Sequence, residues 1–433
     1  MNSDLKPDGT ADITADVAIV GGGLAGGLAS LALSDAGFTC ALIDASDPQS
    51  MREAKFDGRT TAISYACARV FRRLGLWPSL APHAEPIRDI LVTDGKARSA
   101  LQGGTLSSFA LHFDSAELSG TSDEETPLGW VIENRILRNV LFDAIATQEK
   151  ITLLAPAMRK STTLDGATAQ LQLSTGQNIR AALVVAADGR MSTLRSETKI
   201  KTNRWRYKQC GIVTTLAHER DHDGIAQEFF LPSGPFAILP MTQDPTAELK
   251  HRSSIVWTET AASADAYLAL SEDDFLTELS NRVGPYLGAL ACVGPRWSHP
   301  LSFHLSHRFV APRLALIGDA ARAIHPIAGQ GFNLGVKDIA ALVDTLTQAR
   351  DVGLDIGSLN VLEKYQSWRR FDSAALAFST DILNRLFSND IAPIRALRTI
   401  GMGATNKVAP LRRFFMRQAG ADIGELPSLM SRD

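Results

Sequence analysis

Leu314-Ala315-Leu316-Ile317-Gly318-Asp319-Ala320-Ala321-Arg322-Ala323-Ile324-His325-Pro326-Ile327-Ala328-Gly329-Gln330-Gly331-Phe332-Asn333 is the stretch on which the reading of the chain turns. It begins with an apolar run of strand length, turns at Gly318-Asp319, crosses a loop containing Pro326 and Gly329, and enters a helix at Gly331. The helix shows in the apolar spacing of Phe332, Val336, Ile339, Ala340, Val343 and Leu346, and is expected to run to about Arg350. A carboxylate at the C-terminal end of a strand, here Asp319, faces the crevice where α/β sheets bind ligands. Unpaired N–H groups at Gly331, Phe332 and Asn333, with the positive end of the helix dipole, suit an anionic or electron-rich group. An aspartate capping a turn before a core helix would explain Asp319 taken singly. The whole stretch points instead to a cofactor with a hydroxylated chain and an electron-accepting ring.

A second unit stands near the N-terminus. Asp16 to Val20 is a buried-strand run followed by Gly21-Gly22-Gly23-Leu24-Ala25-Gly26-Gly27. Gly21, Gly23 and Gly26 have the G-x-G-x-x-G spacing: a tight turn, a close approach of backbone to pyrophosphate, and helix packed on strand. The helix should stop at Gly37, and the next strand, Cys40 to Ile43, ends on Asp44. Asp44 lies 23 residues after Gly21 (44 − 21), near the spacing of a carboxylate that grips a ribose hydroxyl. This βαβ unit fits the adenosine half of a dinucleotide and does not choose between nicotinamide and flavin.

Further motifs make that choice. Phe56-Asp57-Gly58-Arg59-Thr60-Thr61-Ala62-Ile63-Ser64, Trp130-Val131-Ile132-Glu133-Asn134-Arg135-Ile136-Leu137 and Val184-Val185-Ala186-Ala187-Asp188-Gly189-Arg190-Met191-Ser192-Thr193-Leu194-Arg195 follow in order. With the two stretches above, they resemble the aromatic-ring flavoprotein monooxygenases, most closely the ubiquinone-biosynthesis hydroxylases. The resemblance spans residues 16–345. It implies that Gly21, Gly23, Leu24, Ala25, Gly26, Asp44, Arg59, Arg135, Asp188, Asp319, Pro326, Gly329, Gly331, Phe332 and Asn333 bind FAD. It also implies NAD(P)H as a transient electron donor, and a C(4a)-hydroperoxide that passes one oxygen atom of dioxygen to a polyprenylated phenol. Backbone N–H groups at Gly331 to Asn333 would stabilise charge at the flavin ring. Arg322 departs from the pattern, since many relatives carry His there, and Asp44 stands where many have Glu. His325 is read as setting loop shape, and no side chain is singled out as a catalytic acid, base or nucleophile.

Between these motifs the texture changes. Asp89 to Gly95 reads as a strand with a hairpin signal, and Ser115 to Pro127 as a solvated acidic loop. Runs at Gly211 to Leu216, Gln227 to Phe230, Pro235 to Met241 and Ser253 to Thr258 read as an antiparallel sheet. Ser271 and Asp274 mark a helix start. The expected architecture is α/β: a Rossmann-like FAD-binding domain (1–87, 128–205 and 306–350), an inserted antiparallel β-sheet substrate domain (88–127 and 206–305), and a helical C-terminal region (351–433). Leu231 to Pro240 resembles the family strand facing the flavin across the substrate cavity, so Phe236 is a candidate cavity residue, with a plain core strand as the alternative.

Composition sets the remaining limits. A chain of 433 residues with 45% hydrophobic and 21% charged residues is an ordinary globular protein of more than one domain. A net charge of −3 gives no argument for nucleic acid. Cys40, Cys67, Cys210 and Cys292 lack metal or dithiol spacing, so no metal is expected and the thiols read as buried and structural. No signal pattern or spanning run appears, which suggests a cytoplasmic protein. The segment Ile391 to Arg417 carries Arg395, Arg398, Lys407, Arg412, Arg413 and Arg417 and no acid, with Leu411, Phe414, Phe415 and Met416 among them. It reads as a solvated basic face or as a contact with the inner membrane surface. Other ubiquinone-biosynthesis proteins and a second copy of the chain are the further partners considered. The rival readings are another single-Rossmann flavoenzyme (a small-aromatic hydroxylase, a halogenase or a polyprenyl reductase), a non-catalytic lipid-binding escort with an FAD-type fold, and a nicotinamide dehydrogenase. The halogenase Trp-x-Trp-x-Ile-Pro signature is missing at Trp205, which Arg206-Tyr207-Lys208 follows.

Overall fold

A computed structural model describes residues 13–53, 57–94, 111–118, 126–325, 329–387, 408–422 and 424–432. Phe56, Pro326 and the tail residues Ile391 to Lys407 lie outside the described residues.

The first sheet forms from the apolar runs that border the glycine-rich turns. Its order is Val310–Ala311, Leu314–Leu316, Asn178–Ala186, Ile13–Val20, Cys40–Ile43 and Ile151–Leu154, with Ala169–Leu173 and Arg159–Thr163 on a side branch. The central pairs are parallel. Parallel strands are covered on both faces, which is why Val17 to Ile19 and Leu183 to Ala186 are continuous apolar runs with no accessible surface. The helix Leu24–Asp35 buries nine consecutive residues, Gly26 to Ser34. It packs against Asn134–Ala146 and Gln330–Asp351. Gly37, at φ +96°, ends the chain's first helical segment.

The second sheet runs Arg322–Ala323, Leu290–Ser306, Thr202–His218, His251–Thr260, Gly234–Met241, Ile225–Leu231, Asp89–Asp94 and Leu111–Asp114. Two strands of 17 residues carry it away from the first sheet. Leu305 pairs with both Asn203 and Arg322, and Arg322–Ala323 follows the first sheet's Leu314–Leu316 in the chain. The sheet is mixed where the sequence suggested purely antiparallel pairing. Ile225–Leu231 runs parallel to Asp89–Asp94, because the two segments are separated by 130 residues of chain (224 − 94) and not by a hairpin. The 17-residue strand Leu290–Ser306 escaped the sequence reading because its exposed half, with Gly294, Pro295 and Pro300, gives no alternation. Ser271 caps the helix Glu272–Val283, accepting from the Asp274 N–H at 3.1 Å. A third sheet is formed by Thr60–Ser64, Gly129–Glu133 and Glu85–Ile87, and its last two strands contact Gly234–Met241 of the second.

The acidic segment at Ser115 is more than a solvated loop. Ser115 is buried in a short 3₁₀ turn, and Arg412 donates to both oxygens of Glu117 at 2.8 and 3.0 Å. Cys40 and Cys67 are buried, Cys210 and Cys292 half-buried, and all four are free thiols.

Candidate cofactor and substrate site

The glycine turn is built by steric necessity. Gly21 sits at φ +105°, and a Cβ there would lie 2.4 Å from the Ala187 carbonyl oxygen. A Cβ on Gly26 would stand 1.7 Å from the Gly21 oxygen, so only glycine lets the helix close on the strand. Gly23, by contrast, faces open space. Asp44 is held at the end of its strand by the N–H groups of Gly22 and of Ser46, the latter at 2.7 Å. This is the arrangement expected of a carboxylate beside a dinucleotide turn.

A cavity of about 600 Å³ begins at that turn. One end is formed by Gly23, Leu24, Ala25, Ala187, Gly189, Arg190, Gly318, Asp319, Gly329, Gly331, Phe332 and Asn333. Helix Gln330–Asp351 starts here from Gly329, in the left-handed region at φ +62°, with no side-chain cap. Its first N–H groups have no intrahelical acceptors, and a Cβ on Gly331 would meet nothing within 4 Å. Asn333 anchors the helix start: its side chain donates to the Ala62 carbonyl at 2.9 Å and accepts from the Ser64 N–H at 3.0 Å. Asp319 is half exposed to the cavity. Surrounding protein pushes its carboxyl pKa up, an effect opposed by Arg190, whose Nη2 lies 4.0 Å away, and by Arg322. The open glycines, the uncapped helix start and the accessible carboxylate fit FAD. They offer donors to an electron-rich ring edge and an acceptor to chain hydroxyls.

Other motif residues fall elsewhere. The Asp188 carboxylate accepts from the Thr193 N–H at 2.9 Å at the start of the short helix Thr193–Glu197, which Ser192 caps, while its neighbours Ala187, Gly189 and Arg190 line the cavity. Arg59 and Arg135 stand outside the lining. Arg59 Nε donates to Asp57 at 2.8 Å and Arg135 Nε to Glu133 at 2.7 Å. Their neighbours Thr60 and Asn134 are the ones that reach the wall.

The other end of the cavity is a face of the second sheet. Direct partners across the strands place Val256, Ala237, Glu228 and Val92 in one row. Two residues along each strand, Leu239, Ala226, Ile90 and Phe113 form the next row. All eight line the cavity, and Ile87, Leu128 and Met416 close its side. Phe236 belongs to the opposite face. It is fully buried with Phe229, Trp257 and Phe275 beneath the helices Ala261–Ala269 and Glu272–Val283, so the core-strand alternative describes it. Period-2 alternation hands the cavity to Ala237 and Leu239 instead.

Three residues that the sequence reading did not assign brace this site. Arg195 is buried and donates to the Ala320 carbonyl at 2.8 Å and the Arg190 carbonyl at 2.9 Å, joining the loops beside Asp319. Asp338 accepts from the Gly318 N–H at 3.0 Å. It also pairs with Arg322, the departure from the family pattern, which is thereby a structural cation. The local signal for Asp338 is an acid set between Val336 and Ile339 of its helix's apolar stripe. Arg190 lay in a quoted motif without an assigned role. His325 is fully buried beside Tyr207, at 5.2 Å between ring centroids, and burial pushes its pKa down to about 4.

The chain was compared with known proteins on this basis. The model of a family described as FAD binding domain matches residues 14–371. Ubiquinone hydroxylase UbiL of Rhodospirillum rubrum is 44% identical over 415 residues, covering 95% of this chain and 90% of that protein. The 3-demethoxyubiquinol 3-hydroxylase of Escherichia coli is 30% identical, covering 93% of this chain and 98% of its own length. Among solved structures, p-nitrophenol 4-monooxygenase PnpA from Pseudomonas putida superimposes with a TM-score of 0.75 at 19% identity, covering 94% and 99% of the two chains.

Proposed function

This chain belongs to the FAD-binding-domain family and is an FAD-dependent monooxygenase; from that premise we propose that it hydroxylates the aromatic ring of a polyprenylated phenol in ubiquinone biosynthesis. The observation that carries the substrate class is the two-ended cavity. A polar, glycine-lined end suited to the flavin opens directly onto an apolar sheet face suited to a prenylated ring. Bound FAD, reduced by NAD(P)H, supplies the oxygen-transfer chemistry with dioxygen, while the protein supplies orientation and water exclusion.

Each part of the chain has a task in this reading. The turn from Gly21 to Gly26 and Asp44 hold the adenosine half. Asp319 would accept from hydroxyls of the ribityl chain, and the N–H groups from Gly331 to Asn333 would stabilise charge developing on the flavin ring. Ile90, Val92, Ala237, Leu239 and Val256 exclude water from the substrate ring. Arg59 and Arg135, paired with Asp57 and Glu133 beside the cavity-lining Thr60 and Asn134, are assigned to the cofactor by the family resemblance alone. A non-catalytic escort would have no need of the open glycines and uncapped helix start.

The substrate's apolar tail requires a bilayer or a partner at the entrance. No helix among the described residues is long and apolar enough to cross a membrane. Helix Ala409–Ala419 offers a surface contact: Met416 is buried and lines the cavity, while Arg413, Phe414, Phe415 and Arg417 are exposed on its outer side. We assign this helix to a peripheral membrane surface.

The test of reaction type is isotopic. With a prenylated phenol, NAD(P)H and labelled dioxygen, one labelled oxygen atom should enter the ring, and labelled water should leave it unlabelled. Label from water, or turnover without dioxygen, would refute a monooxygenase. Equal kcat/KM for phenols with and without a prenyl chain would reassign the substrate to small aromatics.

A further inference from the structure

Among the described residues, the apolar wall of the cavity continues outward at one margin of the second sheet. The sheet wall itself backs onto a filled core, with Phe236, Trp257 and Phe275 packed behind it. The sheet ends at Leu111–Asp114, its last strand, where Phe113 pairs across to Ile90. Both residues line the cavity and both are only partly buried. Helix Ala409–Ala419 lies over this edge. Arg412, Met416, Ala419 and the C-cap Gly420 recur at i, i+4, i+7 and i+8 and form its inner stripe. Met416, Ala419 and Gly420 line the cavity, while Arg412 holds Glu117, just beyond the edge strand, at 2.8 Å. At the other end the Ala419 carbonyl accepts from Gln330 Nε2 at 3.0 Å, at the start of the helix that faces the flavin end. From Ala419 to Arg412 the helix rises about 10 Å, at about 1.5 Å per residue. One element therefore roofs the cavity from its flavin end to the sheet edge, and Met416 stands midway.

Resting on the prenylated-phenol reading above, we propose that the substrate's prenyl tail leaves the ring along this edge, between Met416 on one side and Ile90 and Phe113 on the other. Met416 is then a specificity-determining residue that favours tailed phenols over bare ones. The ring has to lie against the flavin, so its long substituent must leave through a wall. The sheet wall has no space behind it, and the flavin end presents glycine backbone, Asp319 and Arg190. The edge is the apolar path that remains. Methionine suits the place, because an unbranched, flexible thioether fills an irregular gap and repacks around an apolar chain. The Arg412–Glu117 pair fastens the roof beyond the edge strand and leaves the apolar floor of Ile90 and Phe113 beneath it. On the outer side of the same helix Phe414 and Phe415 are exposed, so a tail emerging past Met416 meets apolar side chains at the surface.

Two measurements on the FAD-loaded enzyme test this without turnover. The first is the dissociation constant, read from the flavin absorbance, of a phenol with a three-unit prenyl tail and of the same phenol with a methyl group in its place. Wild type should bind the tailed phenol at least tenfold more tightly, about 1.4 kcal/mol. Met416→Trp, whose indole fills the path, should bring that ratio near one, whereas Met416→Leu, which conserves volume, should keep it. The second is photolabelling of wild type by a phenol with a diazirine on its second prenyl unit. Label should fall on Leu111–Asp114 or on Ala409–Ala419. A tail preference that survives in Met416→Trp, or label confined to other segments, would overturn the path and leave the prenylated-substrate reading intact. Equal wild-type affinity for the two phenols would refute that reading and the path with it. The photolabel needs no variant, so it decides the matter should Met416→Trp lose FAD or fail to fold.

Discussion

Arg322 and Asp338 meet in a two-point ion pair, Nη1 to Oδ2 at 2.7 Å and Nη2 to Oδ1 at 3.0 Å, with both side chains almost wholly removed from water. Arg369 Nε adds a third contact to the same carboxylate at 3.1 Å, and the Gly318 N–H a fourth at 3.0 Å. One aspartate thus joins the helix Gln330–Asp351, the following helix and the turn that carries Asp319. Removing one member of a buried pair leaves uncompensated charge and costs about 3–5 kcal/mol. Asp338→Ala should therefore lower the urea midpoint sharply and release FAD, since the Gly318 N–H loses its acceptor. Asp338→Asn, which keeps an acceptor there, should hold FAD better than Asp338→Ala. Unchanged midpoints in both variants would mean that the pair contributes nothing.

Asp319 should matter to the cofactor far more than to the fold. Its carboxylate faces the cavity, and a charge-assisted hydrogen bond is worth about 1.5–3 kcal/mol. Asp319→Ala should weaken FAD binding at least tenfold, on the equivalence of about 1.4 kcal/mol per decade. Its raised pKa signals a folding cost for the charged form, so apoprotein stability at neutral pH should hold or rise. An alanine variant that purifies with full flavin at wild-type affinity would remove Asp319 from the site.

Three buried histidines predict acid lability. Burial pushes His218 and His325 down to about 4, and burial together with the Arg195 charge pushes His304 down to about 3, from an ordinary value of 6.5. In the unfolded chain each binds a proton near pH 6.5, so the unfolded state takes up more protons between that value and the folded pKa. Stability from these groups is complete above about pH 6.5 and is lost as pH falls toward 4, at up to about 1.4 kcal/mol per pH unit for each. In neutral His218, Nδ1–H donates to the Arg220 carbonyl at 2.7 Å and Nε2 accepts from Ser253 Oγ at 3.0 Å, so a second proton removes that acceptor. Urea unfolding at pH 7.5, 6 and 5 should show the decline, and His218→Asn should make it shallower. The same slope in His218→Asn as in wild type would clear His218 of any part in it.

The outer face of helix Ala409–Ala419 gives a lipid prediction. Arg412 is already committed to Glu117, so Arg413 and Arg417 are the cations to vary. A basic residue near an anionic surface contributes about 1 kcal/mol, and Phe414 and Phe415 add shallow insertion. Arg413→Ser/Arg417→Ser should float less with anionic liposomes than wild type does, the difference shrinking at high salt. Phe414→Ser/Phe415→Ser should reduce flotation at any salt. Identical flotation of all three proteins on neutral and anionic liposomes would assign this face to solvent or a protein partner.

The sequence alone was enough for the family and the α/β class, because their signals are local. The turn at Gly21 to Gly26 must be glycine wherever a strand meets a helix this closely, and an apolar run ending in Gly318-Asp319 describes its own strand, turn and helix start. The tertiary structure decided whatever depends on which face of an element meets which neighbour. Alternation along Gly234–Met241 marks two sets of residues but cannot say which set faces a cavity, and folding gave that place to Ala237 and Leu239 while burying Phe236 among Trp257 and Phe275. Glu228 was unremarkable within Gln227 to Phe230 until strand register set it in a row with Val92, Ala237 and Val256. Arg322 read as a departure from a pattern because its partner Asp338 lies 16 residues later, on a helix that only packing brings to it. Local sterics can be read from neighbours in the chain, whereas registers, faces and buried charge partners are set by contacts between segments far apart in it.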